Sequence, residues 1–269
     1  VRAPRTRPSS SGVSTHLGDL YLDQERFQDA AAAYRAFVDL DPYHAKAPFM
    51  AVAVIEAYKQ GGFADLVLEG KREFVEVYGP DSPYWAAFTF EQQPEVVAFL
   101  KANLTDLAAY HHALAQESGN LEDYEQAARW YRSYLQSFPN EPESAGTNFL
   151  LAEVLFESER FGEAAREYER TAYAYPLHER SAEAGYAALL SFEEQEPLLE
   201  EPQRSQWHRQ GIDSALRFYA TYPEHEFAAN VQTNAAEKLF ALGEFAPARD
   251  AANVIVAMLP PPDPELLRT

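Results

Sequence analysis

Histidine stands two residues after proline at three places: Pro42-Tyr43-His44, Pro176-Leu177-His178 and Pro223-Glu224-His225. Imidazole transfers protons near neutrality and ligates metals, so a histidine repeated in one local setting raises the question of a catalytic or metal site. Two of the three continue as His178-Glu179 and His225-Glu226. That is the start of His-Glu-x-x-His, which sets two imidazoles on one helical face to hold zinc. The place of the second histidine is taken by Ala182 and Ala229, so the pattern fails. His111 and His112 are adjacent. On a helix, neighbours point about 100° apart and cannot ligate one ion together; partly buried, hydrogen-bonded rings are expected there. Cysteine is absent, which rules out a disulfide framework and a thiolate metal site. No Gly-x-Ser-x-Gly elbow occurs, and the glycine pair Gly61-Gly62 makes no phosphate-cradling loop. Carboxylates are plentiful, but acid–base work needs two of them in one pocket with separated pKa values, which spacing does not supply. Asn103-Leu104-Thr105 has the form of a glycosylation acceptor but falls inside a predicted helix. The expectation is a chain without a catalytic constellation, metal or cofactor.

Composition points the same way. Acidic residues number 42 against 22 basic ones in 269, a formal charge of -20. A nucleic-acid binder must neutralise phosphates with clustered Lys and Arg, and an anionic membrane surface attracts basic segments; both are disfavoured. A basic partner, or solubility alone, fits the charge. Hydrophobic residues make up 46%, enough for a packed core, and no apolar run approaches the roughly 18 residues that span a bilayer. The chain starts on valine, so it is read as a fragment or a processed product.

The elements that must position these residues are helices. Apolar residues recur with the 3.6-residue period, and two-residue alternation is missing. Proline punctuates the chain at Pro42, Pro139, Pro176, Pro223 and Pro260. Counting back from four of these, alanine stands twelve residues before (Ala30, Ala127, Ala164, Ala248) and an aromatic fifteen before (Phe27, Tyr124, Phe161, Phe245). Eight before stand Tyr34, Tyr131, Tyr168 and, departing from the others, Ala252. The spacing predicts a helix, a tight turn closed by the aromatic, then a second helix stopped by proline. A single such hairpin cannot bury its own apolar faces, so neighbours must stack.

Leu17-Gly18, Tyr21, Ala30, Tyr34 and Pro42 stand at the spacing of the tetratricopeptide repeat, which this pattern resembles. Leu151-Ala152, Leu155, Ala164, Tyr168 and Pro176 match again, as do Ala235-Ala236, Leu239, Ala248 and Pro260. The resemblance implies an all-α, right-handed α-solenoid of stacked helix-turn-helix repeats. Its expected course is a linker over 1–12, then one array over 13–269. The repeats are expected at 13–42, a degenerate 43–79, 80–139 with an extra helix, 140–176, 177–223 with the acidic insertion FEEQEPLLEEPQRSQW, and 224–260. A further helix begins over 263–269. The insertion is expected as a solvated loop.

In this family the first helices line a concave groove. Carried over residue by residue, the groove positions are Thr15, Asp19 and Asp23; Phe149, Glu153, Phe156 and Glu157; and Thr233, Glu237 and Phe240. Phe149, Phe156 and Phe240 are expected as anchors and Asp19, Glu153 and Glu237 as charge complement for an apolar or basic peptide or partner-protein segment. The function implied is a non-catalytic interaction scaffold within a larger protein. Two other classes stay open: a regulatory or substrate-presenting domain of a larger enzyme, and a self-assembling structural array. Closures such as SFPNEPESA, AYPLHERSA and TYPEHEFAA are similar to bacterial cell-envelope repeat proteins of the outer-membrane assembly lipoprotein and Tol-Pal coordinator type. That implies a periplasmic or outer-membrane-associated setting, with the cytoplasm as the alternative.

Overall fold

The computed structural model describes residues 10–257, with side chains from residue 15 on. Contacts divide the chain after Pro139 into two compact units. The first holds α1 (Ser10–Asp23), α2 (Phe27–Leu40), α3 (Ala47–Gln60), α4 (Ala64–Tyr78), α5 (Pro94–Ser118) and α6 (Leu121–Ser137). The second holds α7 (Ser144–Glu157), α8 (Phe161–Tyr173), α9 (Ser181–Gln195), α10 (Gln203–Thr221), α11 (Ala228–Ala241) and α12 (Phe245–Val256). No strand occurs among the described residues. Within each unit every helix packs against the next along the chain, so each is a stack of helical hairpins, an α-solenoid. Residues 10–12, expected in a linker, open α1; residues 1–9 and the helix start expected at 263–269 lie outside the described residues.

The repeated alanines lie in the packed interior. Ala30, Ala127 and Ala164 are fully buried and Ala248 nearly so. A small side chain lets two helix axes approach, and the tyrosine four residues on fills the space beside the contact. Tyr34 shows how tight the fit is: a Cβ on Gly18 of α1 would lie 2.4 Å from its ring.

The turns inside the short hairpins share one device. Two residues before the second helix, one residue takes the left-handed conformation: Glu25, Gly62, Gly119, Glu159 and Gly243, with φ between 59° and 77°. In all but the Gly119 turn the next N–H reaches back five residues to a carbonyl of the first helix, as in Arg26 to Tyr21 (2.9 Å), Arg160 to Leu155 (2.8 Å) and Glu244 to Leu239 (3.0 Å). Phe27, Phe161 and Phe245 are the first residues of their helices, as the turn-closing role expected. Tyr124 instead lies inside α6, because Asn120 caps that helix earlier: its side chain accepts the Glu122 N–H at 2.9 Å.

Two stretches depart from the short hairpin. Between α4 and α5 a 3₁₀ turn at Pro83–Ala86 buries Tyr84 completely, and the Trp85 indole donates to the Tyr78 carbonyl at 3.0 Å. Between α9 and α10 the acidic insertion is mostly exposed, as expected of a solvated segment, but it is helical at both ends rather than a loop throughout. Its ends extend the two helices, a 3₁₀ turn covers Glu196–Leu198, and Phe192 packs on Trp207 with ring centroids 4.7 Å apart. The Trp207 indole donates to the Phe192 carbonyl at 3.0 Å. The aromatic at each end of the insertion holds it closed, although its middle is a run of carboxylates.

Candidate partner-binding surface

The three Pro-x-His histidines act within their own turns. Nδ1 of His44 accepts the N–H of Lys46 (3.1 Å), Nδ1 of His178 that of Arg180 (3.2 Å) and Nδ1 of His225 that of Phe227 (3.3 Å). Each precedes a first helix, α3, α9 or α11, whose opening N–H groups have no partner within the helix. The histidine carbonyl also accepts the N–H three residues on, in Ala47, Ser181 and Ala228, and Glu141 does the same for Ser144 before α7. The acceptor role requires the neutral ring with its proton on Nε2. His112 is buried between the Tyr131 hydroxyl (3.3 Å from Nδ1) and Gln116 (3.2 Å from Nε2). Among the described residues no three His, Asp or Glu side chains gather where a metal ion could be held. No described helix is long and apolar enough to cross a membrane.

The expected groove residues fall on both units. On α1, Thr15 is half-buried, Asp23 is exposed, and Asp19 already accepts the Tyr34 hydroxyl at 2.7 Å. On α7, Phe149 is buried, which corrects its expected role as a ligand anchor. It packs edge-on against Tyr168, and the Arg180 guanidinium covers its ring at 3.4 Å from the centroid. Arg180 also pairs with Glu153 (3.1 Å) and Glu183 (2.8 Å), so Glu153 is neutralised from within. The bond from Arg180 holds the Glu183 carboxyl below the usual carboxylate range. Phe156 is half-buried and meets Phe161 edge-on at 5.1 Å, and Glu157 is exposed. On α11, Thr233 is buried with its hydroxyl donating to the Ala229 carbonyl at 2.9 Å, a second correction to an expected contact residue. Glu237 and Phe240 are exposed. The three line one cleft of about 360 Å³ with Phe245, Arg249 and Ile255 of α12.

The better-enclosed hollow lies between α9, α10 and α11, with a volume of about 310 Å³. It exists because α10 offers small residues there. Gly211 and Ala215, four apart on one face, leave unfilled space beside the buried Phe192, Ile212 and Ala235. Leu189 and Val231 complete an apolar floor. The rim is polar. Asn230 and Asn234 stand one turn apart on α11, Glu193 faces Lys238 at 3.8 Å, and His208 pairs with Glu196 at 2.9 Å. Tyr186 and Leu190 of α9 form the wall, Tyr186 stacked on Phe227 at 4.8 Å. An apolar floor ringed by a few hydrogen-bonding groups suits one or two apolar side chains on a backbone that the amides hold.

Sequence reasoning missed Tyr186, Leu190, Asn230 and Asn234. In the unit ending at Pro223 the insertion separates the closing proline from the first helix, so the register that runs back from that proline is broken there. Counting forward from Pro176 puts Ala188-Leu189 at the place Leu151-Ala152 holds after Pro139, with Tyr186 and Leu190 on either side.

With these helices, turns and buried alanines in place, comparison with known proteins is direct. The tetratricopeptide repeat family model matches residues 5–51 and 112–189. The tetratricopeptide match covers the whole of α1, α2, α6, α7 and α8; α4, α10, α11 and α12 lie outside it. A comparison with curated proteins finds no match. Similar solved structures include the MamA protein (14% identity, 81% of this chain and 96% of that one, TM-score 0.35). PilW, a type IV pilus biogenesis factor, is another (16%, 97% and 98%, 0.32). A third is the P58(IPK) tetratricopeptide domain (14%, 96% and 75%, 0.34).

Proposed function

We propose that the chain is a non-catalytic scaffold that binds a segment of a partner protein along the first helices of the second unit. The observation that carries this reading is the hollow between α9, α10 and α11. Its residues are arranged to receive apolar side chains and hold a peptide backbone. Asn230 and Asn234 serve the backbone, because a carboxamide both donates to and accepts from a peptide unit. Glu237 and Phe240 extend the surface along α11. The tetratricopeptide match and the hairpin stack support the reading, since stacked helix pairs present extended binding surfaces. The periplasmic setting belongs to the same proposal and rests on the Tyr-Pro and Phe-Pro closures.

A random peptide library selected on the intact chain tests it. Enriched peptides are expected to share an apolar residue and to bind Ala215→Leu, which fills the hollow, at least about tenfold more weakly, the effect of roughly 1.4 kcal/mol. Equal affinity for a folded Ala215→Leu protein defeats the assignment.

A further inference from the structure

The first unit carries a second cleft that the groove reading does not use. It lies between α4 and α6 with α5 as its floor, and its volume is about 760 Å³. Asp65, Glu69 and Glu76 line it from one face of α4, and Glu122 and Asp123 from the start of α6. Against these five carboxylates stand the guanidinium groups of Arg72 and Arg129. Neighbouring carboxylates are already used, Glu73 by Arg35 at 2.8 Å and Asp106 by Lys71. Among the described residues Asp65, Glu69, Glu76 and Glu122 have no cationic partner.

Acidic walls alone do not make a site; the buried side chains among them supply the second observation. Trp130 lines the cleft and is 3% exposed, and its indole Nε1 has no hydrogen-bond partner. Nδ1 of His111 is likewise buried without one, Asp123 standing 3.6 Å away. An unmet buried donor is destabilising, and an indole N–H can be met only by an acceptor. A metal ion or polyamine would answer the carboxylates and leave the indole unpaired. A peptide answers both, with backbone carbonyls for Trp130 and Lys or Arg side chains for the rim, while Leu68 and Leu107 offer apolar contact.

We propose that this cleft binds a Lys- or Arg-bearing segment of a partner protein, with Trp130 donating to its backbone and Glu69 and Glu122 holding its cations. The site lies on the other compact unit from the α9–α11 hollow, so either assignment can fail without the other.

Indole N–H resonances of the ¹⁵N-labelled full chain read the proposal. The chain has three tryptophans, and Trp130→Phe identifies the signal that belongs to Trp130. The probe is a blocked octapeptide of alternating Arg and Leu, with a Glu-Leu octapeptide and spermine as controls. The Arg-Leu peptide is expected to shift the Trp130 signal saturably at low salt, and the controls are expected to leave it in place. Glu69→Lys with Glu122→Lys, both exposed, is expected to weaken binding at least about tenfold, while Glu224→Lys with Glu226→Lys in the second unit leaves it within about twofold. Unmoved Trp85 and Trp207 signals show that each variant is folded. The proposal is overturned by a Trp130 signal that does not respond, by spermine matching the peptide, or by both double variants weakening binding equally.

Discussion

At His178 the ring Nδ1 accepts the N–H of Arg180, 3.2 Å away. The repeated histidine therefore explains itself as an acceptor at the start of a helix. This much could be reasoned from the sequence, because three equivalent places after a closing proline mark a repeat. Loss of such an acceptor costs about 1 kcal/mol. His178→Ala is expected to lower unfolding free energy by about that amount in urea melts, and His178→Asn to keep most of it, since an Asn side-chain oxygen reaches the same N–H. Phe149 was not readable in this way. The guanidinium that covers it comes from Arg180, 31 residues along the chain, and no local pattern announces a lid from the next hairpin. The Arg180 cluster also sets a pH dependence. Glu183 has its folded pKa lowered by Arg180, so its contribution is present above the ordinary carboxylate pKa of about 4.3 and is lost as pH falls through the lowered value. The drop in Tm between pH 7 and pH 3 is expected to be smaller in Glu183→Gln than in the parent.

Among the elements, the hairpin turn is the part the sequence specifies most closely. Five turns place a left-handed residue two positions before the second helix, and glycine fills three of them. Glu25 and Glu159 take the same conformation without glycine's freedom. A left-handed L residue costs about 1–2 kcal/mol, partly offset by the roughly 0.5–1 kcal/mol of extra chain entropy glycine brings to the unfolded state. Glu159→Gly is therefore expected to stabilise by about 0.5–1 kcal/mol. Gly18→Ala has the opposite sign, because its methyl would meet the Tyr34 ring at 2.4 Å; overpacking of this kind costs about 1–3 kcal/mol. Thermal melts of the two variants check both signs. The insertion between α9 and α10 was the least legible element. Its acidic middle reads as loop, yet Phe192 and Trp207 at its ends decide its structure through a contact across the hairpin.

For the molecule as a whole, the helical hairpins and their buried alanines follow from periodicity and proline spacing, whereas the proposed binding surfaces do not. Both clefts are hollows between helices, and in the second unit Gly211 and Ala215 leave the space. Sequence periodicity records the side chains that fill a core and is nearly silent about the places left unfilled. The formal charge of -20 adds a long-range field to both surfaces. Association with a basic partner is expected to slow as salt rises past about 0.1 M, where the screening length falls to about 10 Å. Stopped-flow rates across a salt series measure this. The central claim is that the second unit holds a partner segment between its first helices, and backbone hydrogen exchange tests it most directly. With a selected peptide bound, exchange is predicted to slow in α9 and α11 and to stay unchanged in α8. Protection confined to other helices, or none at saturating peptide, would contradict the account.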